Sequence, residues 1–123
     1  MPIIIPEDAT IFSVHGSTFR AYVNPGRGSE QLCAWRLEVP ARQVGLAHRP
    51  DHEEVLLILH GDLAVTLGGV RATAHTGDAV LIGAGAEVRI DGGTEDAAAW
   101  VTTTPGLRAT TADGEVIVPP WAQ

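Results

Sequence analysis

Short apolar runs, broken again and again by glycine, proline, aspartate and asparagine, set the pattern of this chain. Several runs alternate polar with apolar positions. That period of two predicts strands with one buried face, because successive side chains of a strand point to opposite sides of the sheet. Residues 3–5 read as a short edge strand stopped by Pro6. Strands at 11–14 and 19–23 follow, around a turn at His15-Gly16-Ser17, and 24–29 is a glycine-rich loop. Residues 32–39 form the first long strand, with Trp35, Leu37 and Val39 on one face and Arg36 and Glu38 on the other. Val44, Leu46 and His48 alternate up to a break at Pro50-Asp51. Further strands are predicted at 54–59, 63–67, 70–74, 79–82, 88–90 and 97–104, with a terminal one at 116–118. Gly68-Gly69 suits a tight hairpin. No long window holds a capped helical period, so almost no helix is expected.

About ten to twelve short strands, each with its own turn, predict an all-β chain. Closing the sheet on itself, or pairing with a second copy, would cover the strand edges. A jelly-roll barrel, or double-stranded β-helix, meets the first need. A homodimer meets the second, with 3–5 and 116–118 as the edges to be covered. At 123 residues the chain reads as one domain over 1–123. Within it, 1–31 are N-terminal strands and loop, 32–104 the barrel core and 105–123 a C-terminal tail.

Composition narrows the partners. The formal charge is −7, and all eight basic residues are arginine. Without lysine there is no side-chain amine for Schiff-base chemistry. No basic stripe marks a nucleic-acid surface, and no apolar stretch is long enough to span a membrane. The N-terminus lacks a basic patch followed by an apolar run, so a cytoplasmic location is expected. The lone cysteine, Cys33, rules out an intrachain disulfide and reads as core filling.

The stretch from Leu46 to Gly61 places His48 at the end of one strand and Glu54 at the start of the next, closing on a glycine turn. Farther on come Gly77-Asp78 and Gly83-Ala84-Gly85. These features resemble the two motifs of the cupin superfamily of jelly-roll barrels. His48, Glu54 and Gly61 stand at the first histidine, the glutamate and the closing glycine of the first motif. Pro50 stands where that motif has its second histidine, and Val88 where the second motif has its histidine. The resemblance covers roughly 32–104 and is nearest to small bacterial cupins, some of them similar to aromatic polyketide cyclases. It implies a jelly-roll fold, frequent dimers and, in its full form, a metal held by three imidazoles and a carboxylate. It leaves the reaction open, because the fold hosts many.

Two chemical readings follow. In the first, no cofactor is needed: His48 and Glu54 form an acid–base pair in the barrel mouth, and Tyr22 is a candidate second acid. The reaction would be isomerisation, dehydration or cyclisation of a small organic molecule, aromatic or polyketide-like. Arg36, Glu38, Leu46, Leu56, Ile58, Val80, Ile82, Val88, Ile90 and Trp100 are the candidate pocket residues. In the second, a divalent transition metal is held by His48, His52 and Glu54 and supports cyclase, lyase or oxygenase chemistry. A non-catalytic binder or structural dimer is the remaining alternative. His15, His60 and His75 lie near turns and read as surface residues, Gln43 as a mouth residue, and Trp121 as a tail anchor docked on a neighbour.

Overall fold

The computed structural model describes residues 3–123. Twelve strands and three one-turn 3-10 helices make up its regular structure. The first sheet contains β1 (Thr10–Val14), β2 (Ser17–Val23), β3 (Cys33–Val39), β5 (Glu54–His60), β8 (Ala79–Ile82) and β10 (Ala97–Thr103). The second contains β4 (His48–Pro50), β6 (Leu63–Leu67), β7 (Val70–Ala74), β9 (Val88–Gly92), β11 (Ala109–Thr111) and β12 (Val116–Ile117). The strand orders are β1-β2-β3-β10-β5-β8 and β12-β11-β4-β9-β6-β7. Neighbouring strands are antiparallel, as in a jelly roll.

The expected closed barrel is corrected to two facing sheets. Edge strands β7 and β8 flank a common groove, and among the described residues no ladder joins them. The inward faces supply the core. Trp35, Leu37 and Val39 of β3, Leu56 and Ile58 of β5, and Val101 of β10 meet Leu63, Val65 and Val88 of the second sheet. The two faces read along 32–39 are thus a buried and a more exposed face, and 54–60, read only as an apolar strand, also alternates buried with exposed positions.

Four local expectations are also corrected. Residues 3–5 form no strand: the Ile5 amide donates to Asp8 Oδ2 at 3.1 Å, and the chain turns into the one-turn helix Pro6–Asp8. One of the two grounds for a dimer through strand edges is thereby lost. Val44 and Leu46 are not in a ladder, because the Gly45 amide is taken by the Asp91 side chain at 2.7 Å. Gly45 also lies so close to β9 that an added Cβ would sit 2.1 Å from the Ile90 carbonyl oxygen. Pro50, read as a break, closes β4 opposite Ala109, where its carbonyl accepts from the Gly85 amide at 2.7 Å. The segment 105–123, read as a tail with a terminal strand at 116–118, supplies that strand as β12 and also the unforeseen β11 to the second sheet.

Trp121 docks on its own chain rather than on a neighbour. It lies in the one-turn helix Pro120–Ala122 and stacks on Phe19, with ring centroids 3.8 Å apart and planes 14° from parallel. Asn24 Nδ2 donates to its carbonyl at 3.2 Å, and Trp35 meets it edge-on. The C-terminus therefore plugs one end of the sandwich with an aromatic ring. Trp121→Ala is expected to lower the unfolding free energy by about 3–5 kcal/mol, the usual cost of emptying a buried aromatic site. Urea denaturation measures this, and a loss under about 1 kcal/mol would mean that the ring adds little to the core.

Candidate active site

Between the sheets lies a cavity of about 150 Å³. Trp35, Leu37 and Val39 of β3, Leu56 of β5, Ile82 of β8 and Val101 of β10 wall it from the first sheet. His48 and Pro50 of β4, Ile90 of β9, Ala109 of β11 and Ile117 of β12 wall it from the second. Phe19, Pro119 and Trp121 close one side, while His15, Ser17, Gly45 and Leu46 border the mouth. His15 and Leu46 are solvent-exposed and His48 is half-buried, so the cavity reaches solvent beside the imidazole.

Strand parity places the two leading residues. His48 and Pro50 are two apart on β4 and share the inward face, with Arg49 turned out to the Gly85 carbonyl and Glu87. His48 Nδ1 lies 2.8 Å from the Leu46 carbonyl oxygen. A carbonyl only accepts, so Nδ1 donates and the neutral ring keeps its lone pair on Nε2. Glu54 opens β5, buried opposite Ile82 of β8. Among the described residues its carboxyl has no hydrogen-bond or ion-pair partner, and His48 is not within ion-pairing reach. Burial raises its pKa from the ordinary 4.5 to about 7, since a charge among hydrocarbon loses its hydration. The expected direct pair is corrected accordingly. Both groups line one cavity, and the Leu46 carbonyl rather than Glu54 orients the imidazole.

The mouth segment is held by a charged hub. Burial works against the charge of Asp91, yet hydrogen bonds from Arg89, the Gly45 amide and Arg71 bring its pKa down to about 2. Asp91 thereby fixes the backbone at Gly45, three residues before His48 and next to Leu46, whose carbonyl orients the imidazole.

Other expected site residues fall elsewhere. Of the proposed apolar wall, Leu46, Leu56, Ile82 and Ile90 line the cavity. Ile58 and Val88 are filled core, and Val80 lines the groove between β7 and β8. Arg36, Glu38 and Trp100 lie on the opposite, outer face of the first sheet. There Glu38 accepts from Arg20 at 2.7 Å and from Arg36 at 3.3 Å. Burial alone would raise the Glu38 pKa, but the two guanidinium groups hold it below the ordinary value. Tyr22 packs edge-on against Trp100, with centroids 5.1 Å apart, and does not face His48. The candidate second acid is corrected on that ground. Sequence reasoning passed over His15, Ser17 and Trp121 as cavity residues. A turn and a tail carry no periodicity that would aim them inward.

The metal set His48, His52 and Glu54 is not assembled. His52 Nδ1 lies 2.9 Å from the Thr104 hydroxyl and 3.1 Å from its carbonyl, and Nε2 faces Asp51. Among the described residues no three histidine, cysteine or acidic side chains converge as a metal site would require. Pro50 lines the cavity beside His48, and Val88 sits directly across the ladder from it. Neither offers a donor atom. The donor set therefore does not fit a transition metal, and no step is derived through one.

The cupin domain model matches residues 35–104, more than half of the chain, and the chain belongs to that family. Curated protein sequences give no match. Among solved structures, the polyketide cyclase RemF from Streptomyces resistomycificus superposes with a TM-score of 0.74 at 18% identity, over 85% of this chain and 79% of that one. KdgF from Halomonas sp. gives 0.74 at 17%, over 85% and 94%. A salicylate 1,2-dioxygenase from Pseudoaminobacter salicylatoxidans, in complex with gentisate, gives 0.69 at 16%, over 79% of this chain and 29% of that one. At these identities the likeness is one of fold. Among the described residues no helix is long and apolar enough to cross a membrane.

The Glu54 environment has a consequence for stability. The folded chain keeps this proton up to about pH 7, whereas the unfolded chain releases it near 4.5. Folding thus takes up a proton between those values, and stability falls as pH rises through that window. Relative to Glu54→Gln, the wild type should lose about 2.5 kcal/mol between pH 5 and pH 8. Urea titrations at both pH values measure the difference, and parallel curves for the two proteins would remove the buried, unpaired carboxyl.

Proposed function

We propose that this cupin is a small-molecule enzyme that moves a proton within its cavity, as an isomerase, dehydratase or cyclase. One observation carries the reading. A single apolar cavity holds an imidazole with its Nε2 free and a carboxyl that keeps its proton near neutral pH. A base and an acid with separate environments are the parts needed for enolisation. His48 Nε2 takes a proton from the carbon beside a substrate carbonyl. The C–H electron pair moves into the carbon–carbon bond, and the carbonyl oxygen takes the Glu54 proton. In each outcome the carbonyl re-forms as the enol O–H proton returns to Glu54. A conjugated enol isomerises when His48 delivers its proton to another carbon of the enol system, and it dehydrates instead when that proton leaves with a β-hydroxyl as water. Attack of the enol carbon on a second carbonyl gives cyclisation, with the new alkoxide taking the His48 proton, and the fold likeness to a polyketide cyclase supports keeping this third outcome. The hydrocarbon walls exclude water from the enol.

The test is hydrogen–deuterium exchange at the α-carbon of small ketones in D2O, followed by proton NMR. Wild type should accelerate exchange of a ketone that enters the cavity. His48→Ala and Glu54→Gln should each lower that rate by about 100-fold or more, the usual span for a positioned acid or base. Rates no faster than buffer across a panel of cyclic ketones, or a wild-type rate kept by both variants, would overturn the proposal. A chain that binds such ketones without exchange would be a binder, not an enzyme.

A further inference from the structure

The cavity restricts what can enter it by size, by charge and by lining. This inference rests on the same cavity being the reaction site, and it concerns the ligand rather than the reaction.

Size comes first. At about 150 Å³ the cavity matches the volume that accepts benzene in a well-studied engineered protein core. One six-membered ring fits, and a fused second ring does not unless it projects through the mouth.

Charge comes second. The chain has eight arginines and no lysine, and none of the eight lines the cavity. Arg20 and Arg36 are engaged with Glu38, and Arg71 and Arg89 with Asp91. Arg49 faces Gly85 and Glu87, and Arg27 faces Tyr22 and Thr10. Arg42 and Arg108 are exposed, away from the lining. A carboxylate or phosphate entering here would lose its hydration without meeting a guanidinium.

Lining comes third. Phe19, Trp35 and Trp121 form an aromatic end, and the stacked pair Phe19–Trp121 presents a broad apolar surface. The polar side chains bordering the space are His15, Ser17, His48 and Glu54. Among the described residues Glu54 has no partner, and a buried polar group left so is costly unless a ligand meets it.

We infer that the ligand of this cavity is a neutral, single-ring molecule bearing a carbonyl or hydroxyl oxygen. Organic acids, phosphorylated metabolites and fused polycycles are excluded as ligands that lie wholly inside. The ring lies against the aromatic end and its oxygen faces Glu54.

Three probes test this at about pH 7.5, where phenol and 2-naphthol are neutral and benzoate is charged. NMR titrations of the intact protein follow the His48 imidazole signals. Phenol should shift them and saturate. Benzoate and 2-naphthol should each bind about tenfold or more weakly, a difference of roughly 1.4 kcal/mol. Benzoate or 2-naphthol binding as well as phenol would overturn the inference, as would phenol leaving His48 unmoved. Failure of the acid–base proposal looks different: the probe order holds while ketone exchange stays at the buffer rate. An inverted probe order with exchange intact would sink only the inference about the ligand.

Discussion

The burial of one carboxyl among hydrocarbon governs the chemistry available to this fold. Glu54 sits at the first position of β5, between β10 and β8, with its side chain turned toward the other sheet. Leu56 and Ile58 follow it on the same inward face. The strand that delivers the acid is therefore also a main wall of the core, and it cannot turn the acid outward without exposing those residues. A group that would be ionised in water is thereby kept near its neutral form. The cost to stability is accepted by a sandwich whose inward faces are otherwise hydrocarbon.

The imidazole is held by a separate device. β4 has three residues and meets β9 at His48 and Val88. A strand this short would position a side chain loosely if the ladder alone held it. Instead Asp91 holds the Gly45 amide, and the Leu46 carbonyl holds His48 Nδ1. Two positions on the mouth segment thus carry the orientation of the ring, with Arg71 and Arg89 keeping Asp91 ionised. Glu54 is thus placed by a sheet, and the His48 ring is oriented by the segment that leads into β4.

Where a residue's neighbours are close in sequence, the pattern was readable. The strands at 63–67, 70–74 and 79–82 begin and end where alternation and glycine turns place them. The split of 33–39 into an inward face with Trp35 and an outward face with Arg36 was legible as parity, because one side carries hydrocarbon and the other an ion pair. The likeness of His48 and Glu54 to the cupin motif also placed both at one cavity. What was not legible depends on distant partners. β11 is three residues long and exists because β4 and β12 flank it. Trp121 turns inward because Phe19, about a hundred residues earlier, offers a ring to stack on. Tyr22 was read as a possible acid, yet a register shift beyond Ala21 and the nearby Trp100 ring set it on the outer face. Periodicity states which residues share a side. It does not state what stands opposite.

The replacement of metal-ligand positions by Pro50 and Val88 bears on the acid as well as on the metal. Imidazoles there would supply donor atoms and carry hydrogen-bonding groups toward the cavity. Neither Pro50 nor Val88 offers a side-chain donor, and Pro50 leaves hydrocarbon beside the space that Glu54 faces, with Val88 packed in the core behind it. In a cavity of that polarity a carboxylate is disfavoured and a carboxylic acid is favoured, which is the direction of the Glu54 shift. If Pro50 stands at a ligand position, as the resemblance implies, then under the proposed reading the missing donor and the protonated carboxyl are two results of one change in lining. Such a change would convert a glutamate suited to hold a cation into a glutamate suited to give up a proton. It would leave the histidine beside it, already fixed through Nδ1, with a free nitrogen to receive one.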